Sequence, residues 1–574
     1  MHTDRSDYDV VVMGGGLAGL AFTRQLLRRR PETKVLVVER MTHPVPEAAH
    51  KVGESLVEMS AYYFAEILGL HEHLSSSQIR KMGLRFFPSA QVPPPPLSRR
   101  AEAGPSDYLP ARTFQTDRGI FENALGEAIV ADGAEFRHGC RIERLELNPA
   151  GNHTVTISSS DDRCSVSTRW VVDASGRRGI IKNKLGLHEP VSHDCNAVWM
   201  RLGEMITMDK LIEYEQPVPS ASDVAEWLGR VPNEQRWRST NHLMGRGYWV
   251  WLIPLVSGSV SVGLVSDPKY VPLEDVNTFE GLLSWLEVHE PELARAVADR
   301  RDSLQDFHML KHYAHGCKQV FSAERWALTG DAGVFNDPLY SPGGDFISLS
   351  NTYVTNMIVE DLAGKPIADL AARSNLFYLG LYKSLLVVWE NQYILMGNPQ
   401  VWSAKSVWDP FLYFAVFGIL HHNGGLTDVY FMEEATVEDY GRIKTLSHRM
   451  QAFFREWDEA DPGVDQAHFV DVTSNDIKVI TAFEEVLFEK LDRNALRARL
   501  NENLKFVEDV ARVIMAGAAR RVGHDTDPAD VDPLTFTIGS QPSGDPPGAG
   551  REDSIARATE MLRGLWHDSA LVSG

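Results

Sequence analysis

The chain has 574 residues, 43% of them hydrophobic, and a formal net charge of −21 from 57 Lys and Arg against 78 Asp and Glu. That supplies a large core and more than one domain, and it is the wrong charge for a nucleic-acid protein, which needs clustered cations to neutralise phosphate. The scattered cysteines Cys140, Cys164, Cys195 and Cys317 show no C-x-x-C, so neither a disulfide framework nor a zinc site is expected. No apolar run reaches the ~18–20 residues of a membrane span. A first strand expected close to Met1 leaves no room for a signal peptide, and the expected location is cytoplasmic.

The N-terminal stretch Tyr8 to Glu39 reads YDVVVMGGGLAGLAFTRQLLRRRPETKVLVVE. Asp9 to Met13 is a short β-rich run bounded by glycine, Leu17 to Arg29 has helical character, and Lys34 to Val38 is a second strand. Gly14, Gly16 and Gly19 fall at the G-x-G-x-x-G spacing between them. The first allows a tight turn, the second lets a pyrophosphate approach the backbone, and the third lets helix and strand pack closely. The helix N-terminus offers free N–H groups to phosphate, and Glu39 stands where an acid can accept from a ribose hydroxyl. Strand, glycines, helix, strand and acid together predict dinucleotide binding.

Further along, Val52 to Ser55 reads as a turn and the remainder of His50 to Leu70 as helix. Gln78 to Phe87 reads as one strand, and Pro88 to Tyr108, with its proline run, as an exposed loop. Asp117 to Ala131 is a helix, Glu135 to Ser158 an antiparallel hairpin around Ala150-Gly151, and Arg169 to Asp173 a buried strand. Asn196 to Val265 is strand-rich and different in character, which predicts a second, sheet-based domain inserted in the first. Trp326 to Asp331 returns to the dinucleotide-binding pattern, and Asp345 to Leu362 is a helix with Gly364 past its end. The chain then reads as helical and aromatic to about Ala519. A Gly-, Pro- and Asp-rich tail follows, in which a short helix is expected over 552–567. The expected divisions are 1–195 and 321–365 for the dinucleotide-binding domain and 196–320 for a mainly β domain. Beyond them lie a helical region, 366–522, and a mostly disordered tail, 523–574.

Two later motifs join the glycine turn: Val171-Val172-Asp173-Ala174-Ser175-Gly176 and Leu328-Thr329-Gly330-Asp331-Ala332. In this order the segments resemble the FAD-dependent monooxygenases typified by para-hydroxybenzoate hydroxylase. The resemblance covers about the first 365 residues and implies an α/β fold. Its parts are a Rossmann-like FAD-binding domain, an inserted antiparallel-sheet substrate domain and, here, a helical C-terminal addition. It implies FAD held by Gly14, Gly16, Gly19, Glu39, Asp331 and Ala332, with Arg118 near the flavin.

Trp249-x-Trp251-x-Ile253-Pro254 narrows the family, because this W-x-W-x-I-P order resembles the hallmark of flavin-dependent halogenases. There the tryptophans lie beside a channel between flavin and substrate and keep the flavin hydroperoxide from acting as a hydroxylase. Two aromatics two residues apart are also what a strand with one aromatic face would carry. The family places its catalytic lysine where Lys81 stands, in Lys81-Met82-Gly83-x-x-Phe86 after Gly53-Glu54-Ser55. Such a lysine aims hypohalous acid, by hydrogen bond or as a haloamine, and burial favours the neutral amine. Taken alone, Lys81 also fits a solvated strand position beside Arg80 and Arg85, and Lys51 is a nearby competitor.

The halide site departs from the family. Asp337-Pro338-Leu339-Tyr340-Ser341-Pro342-Gly343-Gly344 stands where the family has Asp-Pro, two variable residues and Ser-Thr-Gly or Ser-Ser-Gly. Halide there is held by backbone N–H groups at the last two tripeptide positions, and Pro342 has none to give. Gly343 and Gly344 can supply donors from a shifted turn, so Ser341, Gly343 and Gly344 are the candidate halide residues. Tyr340 replaces the glutamate of tryptophan halogenases, which resembles the branch acting on phenols, pyrroles or polyketides; it also fits simple core packing.

The resemblance implies an FADH₂-dependent halogenase that uses O₂ and chloride or bromide on a small electron-rich aromatic, free or carrier-bound. No second nucleotide motif suggests a nicotinamide site, so a separate flavin reductase is the implied partner. A hydroxylase or oxidase of the same fold that ignores halide is the alternative, and Pro342 is its support.

Overall fold

Val10, Val11, Val12 and Met13 expose no surface, nor do Leu36, Val37, Val171 and Val172. Strands this uniformly apolar belong inside a parallel sheet covered on both faces. The computed structural model, which describes residues 7–48, 51–160, 162–436, 439–539 and 551–566, puts them there. The chain forms two compact units, one of residues 1–79, 114–193 and 312–385, the other of 80–113, 194–311 and 386–574.

In the first unit, Tyr8–Met13 pairs in parallel with Val35–Val38 on one side and Arg163–Asp173 on the other. Trp326–Leu328 adds a further parallel strand. The register aligns Val38, Met13, Asp173 and Leu328, so these strands end at one level. The helix Leu17–Arg29 packs between the helices Arg118–Ala131 and Gly343–Leu362. The expected hairpin over 135–158 is only half a hairpin. Arg141–Glu146 and His153–Ser158 do pair antiparallel, but Glu135–Arg137 joins the parallel edge beside Val35–Val38.

In the second unit, an eight-stranded sheet runs in the order Leu304–Leu310, Asn196–Leu202, Val260–Ser266, Tyr248–Pro254, Thr240–Gly245, Leu84–Pro88, Glu102–Gly104, Phe469–Asp471. Period-2 alternation sorts its residues onto two faces. Phe87, Val198, Met200, Val250, Leu252, Val262 and Leu264 form one core with Trp227, Leu286 and Leu293 of the covering helices. The intervening Phe86, His242, Trp249 and Trp251 therefore belong to the opposite face.

Several stretches differ from expectation. Gln78 to Phe87 is two strands, Ile79–Lys81 and Leu84–Pro88, broken at Gly83, whose φ is +75°. Pro88 to Tyr108 is no exposed loop: Leu97, Arg100 and Glu102 are buried, and Glu102–Gly104 is a strand of the sheet. The reason is electrostatic. Glu102 is the shared counter-charge of Arg85 and Arg236, all of them fully buried, and Arg236 also donates to Asp209 at 2.6 Å.

The tail is also more ordered than its composition predicts. Glu552–Met561 is a helix packed on Arg493–Arg521, with Ile555, Ala558 and Met561 buried and Ser554 donating to Asp509 at 2.7 Å. Val531 and Phe536 are buried anchors amid the Gly and Asp. Residues 540–550 and 567–574, also expected to be disordered, lie outside the described residues. The aromatics of the helical region behave as core: Trp389, Tyr393, Trp402, Trp408, Phe411, Phe414 and Phe417 are buried, as are His421 and His422.

Candidate active site

The cradle of the first unit is made of backbone. Gly14 has φ +122°, and a Cβ there would sit 2.3 Å from the Ala174 carbonyl oxygen. A Cβ on Gly19 would sit 2.1 Å from the Gly14 oxygen. The glycine turn, the Asp173–Gly176 motif and the helix start are therefore pressed together as only glycine allows. Gly16 is the contrast, since nothing lies within 4 Å of a Cβ there. Open space at this residue, at the head of a 13-residue helix with no acid in its first turn, suits a pyrophosphate.

Glu39 receives the N–H of Gly15 on one oxygen at 2.7 Å and that of Met41 on the other at 2.8 Å. Its carboxylate is thus aimed, with lone pairs left for ribose hydroxyls. Asp173 plays a structural part, accepting from Ser175 and from the Ile181 N–H at 2.7 Å.

Asp331 and Ala332 lie in a single helical turn after Leu328. A Cβ on Gly330 would meet the Ala18 side chain at 2.9 Å, so this turn abuts the head of the first helix. Asp331 accepts no hydrogen bond among the described residues. Burial pushes its carboxyl above the ordinary range against the opposing pull of Arg177, Arg118 and Lys182. An acceptor left over in a cradle of free N–H groups fits the hydroxyls of FAD. Arg118 heads its helix and donates to Glu122 at 2.5 Å and to the Val52 carbonyl. Lys51 pairs with the same Glu122, so it is the partner of this ion group rather than a free ammonium. Burial alone would raise Glu122, but Arg118 and Lys51 outweigh it and hold its carboxyl below the ordinary range. The Arg118 Nε is buried without a partner.

The loop after this turn is strained and anchored. Asp337 is buried, 2.6 Å from His193 Nε2, and accepts the Leu339 N–H at 2.8 Å. Tyr340 and Ser341 both adopt left-handed backbone, at φ +68° and +59°. The Ser341 N–H is spent on the Pro338 carbonyl at 3.0 Å. Pro342 caps the 20-residue helix Gly343–Leu362, where a missing N–H costs nothing. The first two helical N–H groups, those of Gly343 and Gly344, have no acceptor among the described residues. Gly344 has to be glycine, since its Cβ would lie 2.7 Å from that of Ser60.

In the second unit, Lys81 ends its strand with 2% of its surface exposed. It is a buried lysine, not the solvated one its neighbours suggested. Arg80 stacks on Tyr108 at 4.0 Å and Arg85 is taken by Glu102. Trp249 and Trp251 are buried with ring centroids 5.8 Å apart. The Trp249 indole N–H donates to the Tyr393 hydroxyl at 3.1 Å, and that of Trp251 to Ser261 at 3.1 Å. Trp251 lies flat over its cross-strand partner Gly263, where a Cβ would strike the ring at 2.1 Å. His242 and Trp402, which the motifs did not flag, complete this aromatic face. His242 stacks on Phe86 at 4.8 Å, and Phe86 meets Trp402 edge-on at 5.8 Å. The only sequence signal for His242 is its position in a strand that alternates with the W-x-W strand.

Residues 7–252, the stretch that carries the glycine turn, Glu39 and the Asp173 motif, match the FAD binding domain family. A flavin-dependent halogenase of Dictyostelium discoideum is 28% identical over 377 residues, 61% of this chain and 60% of that protein. The 1H-pyrrole-2-carbonyl-[peptidyl-carrier protein] chlorinase of Pseudomonas fluorescens is 24% identical over 430 residues, 70% of this chain and 86% of that one. The halogenase PltM, solved with phloroglucinol and FAD, shares the fold with a TM-score of 0.60 at 16% identity, covering 87% of this chain and 96% of that one. The chain resembles the flavin-dependent halogenases in sequence and in fold. The match spans less than two thirds of the Dictyostelium protein's length. Among the described residues no helix is long and apolar enough to cross a membrane.

Proposed function

We propose that this chain is the halogenating component of a two-component system, acting on an electron-rich phenol, pyrrole or polyketide ring with chloride or bromide. The observation that carries the reading is Lys81, a lysine buried to 2% exposure in the same unit as the W-x-W pair. Burying an ammonium is expensive, and a fold keeps one there for chemistry more readily than for packing.

Reduced FAD, when bound, supplies the electrons with which O₂ oxidises halide to hypohalous acid. Gly14, Gly16, Gly19 and the first helix head would hold its pyrophosphate, with Glu39 and Asp331 on its hydroxyls and Arg118 at its edge. The free N–H groups of Gly343 and Gly344 form an anion-binding helix start suited to halide. That moves the donors one position beyond Pro342 and weakens the case for a hydroxylase. Lys81 holds the hypohalous acid by donating to it, or captures the halogen as a haloamine when neutral. Trp249 and Trp251 form a dry wall that keeps water from the oxidant. With no nicotinamide motif beside the FAD signature, electrons come from a separate reductase. Relatives in Pseudomonas fluorescens and Pseudoalteromonas luteoviolacea bear names for carrier-bound pyrroles, so free and carrier-tethered substrates both belong in the trial.

The test is mass spectrometry of reactions with FAD, a flavin reductase, NADH and O₂, run with chloride, with bromide and without halide. A halogen isotope pattern is expected, reduced about 100-fold or more in Lys81→Ala at unchanged flavin content. A gain of one oxygen, indifferent to halide, overturns the reading in favour of hydroxylation.

A further inference from the structure

His242 sits in the strand Thr240–Gly245 opposite Trp251, and beside Phe86 on the other flank. Its ring lies at 24° to Phe86 with centroids 4.8 Å apart, and 5.4 Å from Trp249. The rings nearest it on this face are aromatic, with Trp402 closing against Phe86. The indole N–H groups of Trp249 and Trp251 are both spent on protein acceptors, and the imidazole of His242 is the further polar group among these rings.

The Nδ1 of His242 is 2.9 Å from the Arg85 carbonyl oxygen. A carbonyl only accepts, so Nδ1 carries the proton and Nε2 keeps its lone pair. Burial pushes the imidazole down to about 3, with the Arg85 and Thr240 carbonyls opposing and the Lys81 charge lowering it further. At neutral pH the ring is therefore uncharged and Nε2 is an acceptor. Nε2 has no protein donor among the described residues, on a residue with 2% of its surface exposed. A buried acceptor left unpaired costs ~1–3 kcal/mol, a cost that a donor arriving on a ligand removes.

We propose that His242 Nε2 accepts a hydrogen bond from a ring O–H or N–H of the aromatic substrate and thereby selects which ring carbon is offered to the oxidant. The inference rests on the halogenase reading and adds to it a specificity-determining residue and a requirement for a ring donor. Because the imidazole stays neutral, the hydrogen bond enriches the ring in electron density without placing a second cation beside Lys81. Full proton transfer to so weak a base is not part of the proposal. A phenol and a pyrrole both satisfy the same acceptor, and their methylated forms do not.

The first measurement needs no turnover. In protein labelled with ¹⁵N-histidine, the His242 signal is assigned by its loss in His242→Phe and followed as phenol, pyrrole, anisole and N-methylpyrrole are added. Movement of Nε2 with phenol or pyrrole, but not with the methylated pair, supports the inference and says which donor it takes. An Nε2 signal that stays still with all of them, or moves equally with all, overturns it. The second measurement is steady-state halogenation of a resorcinol. His242→Phe is expected to raise KM about tenfold and shift the ratio of ring isomers, while His242→Gln, whose Oε1 can stand in for Nε2, recovers both. Equal losses on the resorcinol and its dimethyl ether, or an unchanged isomer ratio, overturn the inference. If Nε2 responds to phenol while the wild-type enzyme yields no halogenated product, the halogenase reading fails and the ligand site stands.

Discussion

The two units hold their functional groups by opposite means. In the glycine cradle of the first unit the critical atoms are backbone: glycines at 2.1–2.3 Å approach limits, strands ending in register, N–H groups with no acceptor among the described residues. On the sheet face of the second unit they are side chains held by side chains, Trp251 over Gly263, His242 against Phe86, Trp249 on Tyr393. A cradle of the first kind tolerates no added atom where it is tight and any small one where it is open. A face of the second kind yields to added atoms by degrees, because its neighbours can move.

The sharpest way to break that contrast lies inside the cradle. Gly14→Ala sets a Cβ against a carbonyl at 2.3 Å and forces φ +122° on an alanine, and is expected to cost about 3–5 kcal/mol of stability. Gly16→Ala meets nothing within 4 Å. It is expected to leave the apoprotein's denaturation midpoint unchanged while weakening FAD binding about tenfold or more, where the pyrophosphate needs the space. Denaturant titration of both apoproteins, with FAD titration of the second, checks the pair. If Gly16→Ala destabilises as Gly14→Ala does, that glycine is structural and the open space was misread.

This division also explains what was legible in the sequence. The glycine spacing, the acid at Glu39 and the Asp331 turn are local patterns, each within reach of a few bonds, and the strands they predicted formed where expected. Glu102 was invisible for the opposite reason. It lies in a stretch bracketed by prolines, and only its pairing with Arg85 and Arg236 makes it core. His242 was missed because nothing in Thr240–Gly245 says which face the ring takes; that follows in part from pairing with a strand over a hundred residues away in sequence. The loop at Pro342 was half legible. The missing N–H and the glycine donors behind it could be read from the residues, but not that the helix takes in both glycines and starts at Gly343 rather than Asp345.

On the sheet face, Gly263→Ala puts a Cβ 2.1 Å from the Trp251 ring. The ring can tilt, so the expected cost is about 1–3 kcal/mol, with a shifted tryptophan emission maximum and the FAD affinity unchanged. A loss as large as that of Gly14→Ala would show that this face is as rigid as the cradle, and the contrast between the units would fall.

The smallest effect concerns the ion group that ties Arg118 to the cradle. Glu122 is fully buried, and Arg118 and Lys51 hold its carboxyl below the ordinary range despite the burial. A depressed folded-state value means that the group contributes stability above its unfolded value, about 4.3. That contribution is lost as the pH falls through the lower folded value. Because Lys51 and Arg118 keep part of their surface in solvent, the contribution is about 1 kcal/mol. The difference in denaturation free energy between wild type and Glu122→Gln should therefore be present at pH 7, persist to about pH 5 and close on further acidification. A difference that stays constant down to pH 3 would mean the glutamine disturbs packing rather than charge. Arg118 would then owe its position to the Val52 carbonyl, another backbone hold, and the first unit would rely on backbone even for its charged residues.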